Sequence, residues 1–104
     1  MDYIKIKRDG YVRYLFQFKE GELSIGANKI GYLTIKWKGE PTVLEMINAF
    51  REVTEIFRKR GIFPETRVPK GDRTFQMIAR QSGYRRVGLT PNVPFELWTS
   101  KPIK

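Results

Sequence analysis

Between residues 30 and 61 a β-strand, a single glycine and a long amphipathic helix follow one another without a break. No other stretch limits the fold as tightly. The strand, Ile30 to Trp37, is rich in β-branched and aromatic residues. The helix is predicted from Pro41 or Thr42 to Arg60. Val43, Met46, Ile47, Phe50, Val53 and Phe57 recur at three- and four-residue steps and form one apolar face. Thr42 with Glu45 three residues on is a capping box, in which each satisfies a backbone donor of the other. Arg58, Lys59 and Arg60 suit the negative end of the helix dipole, and Gly61 supplies a left-handed stop. An apolar stripe of this length must be buried against a second layer, and the preceding strand is its natural start.

The joint itself, Lys36 to Leu44 (KWKGEPTVL), has a chemical reading. Helix N-termini present unpaired N–H groups and a positive dipole end, so a strand–glycine–helix junction flanked by Lys36 and Lys38 is an anion seat. The amides of Gly39, Thr42 and Val43 are its candidate donors. Pro41 has no N–H to offer. The competing reading is a turn in which Gly39 relieves the geometry and Pro41 stiffens the approach to the helix.

Elsewhere the pattern is simpler. Tyr3 to Arg8 alternates as a strand, Asp9-Gly10 is a two-residue hairpin signal, and Tyr11 to Lys19 alternates again with Val12, Tyr14, Phe16 and Phe18 on one side. Glu20-Gly21 turns the chain. Glu22 to Ile25 reads as a short strand, with Gly26, Asn28 and Gly31 bracketing a turn or bulge. A short strand is expected around Thr66 to Val68. Asp72 caps a second helix, Arg73 to Ser82, with Phe75, Ile78 and Ala79 inward. Strands follow at Arg85 to Leu89 and Phe95 to Thr99, separated by a proline-rich loop from Thr90 to Pro94, and the tail from Ser100 is expected to fray. The fold class is therefore α/β in the α+β sense. A mixed, mostly antiparallel sheet carries two helices, in the order β-β-(β)-β-α-β-α-β-β.

The chain has 104 residues, enough for one domain over 1–104 with one core. It contains neither cysteine nor histidine, which removes disulfides, thiolate and imidazole metal sites, and triads built on either residue. No acidic spacing suggests a metal site. No run is long and apolar enough for a membrane span, and the N-terminus lacks a secretory pattern. The expected place is the cytoplasm. The net charge of +9 points to anionic partners: nucleic acid, phosphorylated cofactors or acidic protein surfaces.

The element order resembles the C-terminal two-thirds of the GNAT-type N-acetyltransferase fold, over Tyr11 to Thr99. Two local motifs carry the resemblance. Lys36, Gly39 and Pro41 stand at the places of the family's Gln/Arg-x-x-Gly-x-Gly/Ala loop, which holds the coenzyme A pyrophosphate, and Leu44 matches an apolar helix position after it. Asp72 takes the place of the family's asparagine, and Gly83-Tyr84-Arg85-Arg86-Val87-Gly88 resembles Gly-Phe-x-x-Glu-Gly. The resemblance implies acetyl-CoA as ligand, held by Lys36, Lys38, Gly39, Thr42 and Val43, and acyl transfer to an amine. Ala79 stands where many family members place a tyrosine acid, and the family's first strand and two helices have no counterpart. Short relatives of this kind are encoded by phages and mobile elements, so the resemblance also implies a viral accessory protein in a host cytoplasm.

No specific catalytic residue emerges. Candidate bases are Glu22, Glu40 or a bound water, and Tyr84 is either a proton donor or core. Arg67, Lys70, Arg73 and Arg80, with Arg85 and Arg86, read as a footprint for nucleic acid, for an acidic protein or for the cofactor's 3′-phosphate, or as a solvated face. Tyr3, Tyr11, Tyr14, Phe16, Trp37 and Trp98 beside Lys5, Lys7 and Arg13 form either a base-stacking platform or core. Two further functions stand beside the acyltransferase reading. One is a non-catalytic protein whose open sheet face binds an acidic partner or a second copy, and the other is a nucleic-acid-binding module.

Overall fold

Asp9 and Gly10 both take positive φ, 37° and 78°, and join β1 (Ile4–Arg8) to β2 (Tyr11–Phe18) in a two-residue hairpin. Such primed turns match the twist of the strands they connect. The structure, a computed structural model, describes residues 2–88 and 92–102.

The next strand, β3 (Gly21–Asn28), is longer than the sequence pattern suggests. Gly26 lies inside it and marks no turn. A Cβ there would collide with the Tyr11 hydroxyl, so the glycine leaves room for the Tyr11 side chain to cross β3 toward Thr34. The real turn is at residues 29–31. The Asn28 side-chain oxygen accepts from the N–H groups of Ile30 and Tyr32 (3.1 and 2.9 Å), and Gly31 takes φ 84°. Ile30 is consequently exposed in this turn, and β4 runs over Tyr32–Gly39.

Helix α1 (Val43–Arg58) begins at the expected capping box. Glu45 N–H donates to Thr42 Oγ1 at 3.0 Å, and Thr42 N–H donates to Glu45 Oε1 at 2.8 Å. It ends where Gly61 takes φ 79° and Ile62 N–H reaches back to the Phe57 carbonyl at 3.0 Å. The chain continues through β5 (Glu65–Pro69), α2 (Arg73–Gln81), β6 (Arg85–Gly88) and β7 (Phe95–Thr99). Asp72 caps α2 by accepting from Phe75 N–H at 2.9 Å. The predicted strand end at Leu89, the start of the proline-rich loop and the last two residues lie outside the described residues. Ser100 corrects the frayed-tail expectation. It is buried, and both its N–H and its hydroxyl donate to the Pro64 carbonyl at 2.9 Å.

The sheet order is β1-β2-β3-β4-β5-β7-β6, with only the β4–β5 pair parallel among the described pairings. The predicted mixed, mostly antiparallel sheet and its element order are what the chain adopts. Both helices cover one face. Phe50 on α1 meets Phe75 of α2 edge-on, with ring centroids 6.3 Å apart, and Tyr84 at 5.1 Å. Beneath them Tyr14, Phe16, Leu23, Ile25, Leu33 and Val68 are fully buried. Tyr14, Phe16 and Trp98 of the candidate stacking platform are core, while Tyr3, which packs on Tyr14 and Phe16 at 5.4 and 5.3 Å, stays exposed with Tyr11 and Trp37. The other face carries no helix and leaves Ile4 and Ile6 exposed.

Candidate functional site

Strands β4 and β5 share two register pairs, Tyr32 with Glu65 and Leu33 with Thr66. The Thr66 hydroxyl donates to the Leu33 carbonyl at 2.9 Å and fixes this root. Beyond it β4 continues to Gly39 and β5 to Pro69 without pairing to each other. The far side of β4 is taken by β3 and that of β5 by β7. Backbone N–H and C=O groups facing the gap therefore lack a ladder partner, and such groups require one. The unpaired part of β4 leads directly into the N-terminus of α1.

Of the residues predicted to seat an anion, Gly39, Thr42 and Val43 lie at the strand–helix joint, but their amides are not equally available. Gly39 takes φ 73°, and a Cβ on it would come within 2.6 Å of the Glu20 carbonyl oxygen. Glu40 N–H donates to that same oxygen at 2.8 Å. Pro41 is buried, with its ring against Gly21. The β2–β3 turn thus seals one flank of the joint, and Gly39 serves this contact. Thr42 N–H is held by Glu45, as described above. Val43 and Leu44 N–H have no acceptor among the described residues.

Leu44 is a donor that the sequence reading missed. The signal was nonetheless in the sequence. A capping box occupies the donors at the N-cap and at the third helical position, so the first and second are those a ligand meets. The exposed Lys36 and Lys38 stand on the helix-free face, opposite Ser24 and Glu22 in β3. With Arg13 and the half-exposed Trp37 they border a hollow of about 320 Å³. Glu22 lines this hollow, while the other candidate base, Glu40, is exposed in the joint.

Tyr32 was also missed. It stands at the root of the gap, with its hydroxyl buried and without a hydrogen-bond partner among the described residues. Burial raises its pKa; the nearby Arg67 opposes this and Glu65 adds to it. The phenol is therefore a protonated donor at neutral pH. Tyr84, by contrast, is core. It lies 2.7 Å from Thr54 Oγ1, and burial pushes its pKa far up against the lowering effect of that hydrogen bond. Ala79 is fully buried.

The predicted basic footprint does not form one surface. Arg67 points away from the helices and lies over the rings of Tyr32 and Phe95, at 5.1 and 4.6 Å. Arg73 and Arg80 are on α2, across the sheet, and Lys70 is in the turn before it. Arg80 stacks on Trp98 at 5.4 Å, beside Arg85, Arg86 and the buried Glu96. Arg86 pairs with Glu96 at 3.2 Å.

Among the described residues no group of three or more acidic side chains is arranged to hold a metal ion. None of their helices is long and apolar enough to cross a membrane. Comparison with family models, with curated proteins and with solved structures finds no match for this chain.

Proposed function

We infer that the chain binds a coenzyme A thioester, with acetyl-CoA the first candidate, in the gap between β4 and β5, as a protein of the GNAT acyltransferase type. The observation that carries this reading is the parallel pair that stops after Leu33 and Thr66, with Val43 and Leu44 N–H unclaimed at the start of the helix that follows β4. The unpaired strand edges suit an extended ligand arm with amides of its own, which would add to the sheet as a strand does. Two helix-terminal N–H groups suit its diphosphate.

Acyl transfer would proceed by attack of an amine nitrogen on the thioester carbonyl. A C–N bond forms, the C–S bond breaks, the thiolate takes up a proton and the amine loses one. The chain's contribution is to position the reactants and exclude water, with the Tyr32 hydroxyl as a spare donor near the root. Glu22 and Glu40 are the candidates to receive the amine proton.

Val43→Pro tests the seat. Proline at the first helical position removes one free donor and leaves the helix intact, and Thr42 already has the extended geometry (φ −72°, ψ 155°) that a following proline demands. Acetyl-CoA at 100 times its Kd should stabilise the natural chain by about 2.7 kcal/mol. In thermal melts the variant should keep its own melting temperature and lose most of the ligand-induced rise. An undiminished rise in the variant would exclude the seat.

A further inference from the structure

At the far end of α1 from this gap lies a second hollow, of about 400 Å³, within the size range of small-molecule sites. Its rim is drawn from three parts of the chain. Lys5, Lys7 and Arg8 come from β1, Lys29 from the β3–β4 turn, and Arg60 from the segment after α1. Asp9 is the one carboxylate lining it. All five cations are exposed, and none forms an ion pair among the described residues. Lys5 and Arg60 have ring contacts only, each 5.9 Å from an aromatic centroid.

The floor is different in kind. Val12, Phe57 and Ile62 line it with carbon. Like charges converging over a low-dielectric floor repel one another and focus a positive field into the hollow. An anion of several charges relieves that repulsion. A ligand that also covers the floor must carry an apolar or flat body. Inorganic phosphate meets only the first requirement, and an acyl chain only the second.

We propose that this hollow binds nucleoside polyphosphates, with the phosphates among Lys5, Lys7, Lys29 and Arg60 and the base against Val12, Phe57 and Ile62. The site is independent of the β4–β5 gap. The same chemistry could arrive as a free nucleotide or as part of a single strand.

Titration calorimetry on the full chain at low salt, with ATP as probe, tests the assignment. ATP should bind saturably at one site. Lys7→Ala combined with Arg60→Ala should weaken binding at least tenfold without lowering the melting temperature. Arg73→Ala combined with Arg85→Ala removes the same charge elsewhere and should leave binding unchanged, as should Val43→Pro. A twelve-residue oligothymidylate that displaces ATP would identify the strand as the source, and one that does not would leave the free nucleotide. Absence of saturable binding, or equal loss in both double variants, would overturn the site. Tripolyphosphate binding as tightly as ATP would overturn the role of the apolar floor.

Discussion

Replacing Phe50 with alanine should destabilise the protein by about 3–5 kcal/mol, a large part of the roughly 5–15 kcal/mol that holds a domain together. Phe50 is fully buried and lies between the two helices and the strand region that follows them. Its ring touches Phe75 of α2 edge-on and Tyr84 at 5.1 Å. Truncation leaves a cavity that three separate elements would have to close together. Denaturant melts followed by circular dichroism measure the loss. A cost below about 1 kcal/mol would contradict the facing assigned to α1.

Gly39→Ala should cost roughly 2–5 kcal/mol, from the left-handed backbone and from overpacking combined. Its φ of 73° disfavours any side chain, and the added Cβ would press on the Glu20 carbonyl oxygen, a backbone atom with little freedom to move. Gly61→Ala is the internal comparison. Gly61 has nearly the same φ, 79°, but nothing lies within 4 Å of its added Cβ. It should cost about 1 kcal/mol, the conformational part alone. Equal losses at the two glycines would mean that the contact between the β2–β3 turn and the strand–helix joint contributes nothing.

The order of elements was legible because its signals are local. Asp9-Gly10, the Thr42–Glu45 box and the Asp72 cap each act within a few residues, and each forms as its sequence predicts. Where the reading went astray, a distant partner decided the outcome. Gly26 reads as a turn until the Tyr11 hydroxyl is placed against it, and Ser100 reads as tail until Pro64 is found beside it.

The same divide runs through the candidate site. Lys36, Lys38, Gly39, Thr42 and Val43 are neighbours in the chain, so their proximity needed no fold. Which of their amides remain open did need one, because Glu20 lies far back in the chain and takes up Glu40 N–H. The parting of β4 from β5 is a matter of strand register, and the orphan hydroxyl of Tyr32 a matter of burial. Neither can be read from composition or spacing. The basic hollow is the extreme case, since Lys5, Lys29 and Arg60 meet only after the sheet has formed and α1 has docked.

The most direct measurement is an amide-resolved NMR titration of the isotopically labelled chain with acetyl-CoA. The amides of Val43 and Leu44 should move furthest, accompanied by those of β4 and β5 beyond Leu33 and Thr66. A spectrum that does not change, or changes confined to the hollow around Lys7, Lys29 and Arg60, would contradict a coenzyme site at the parted strands.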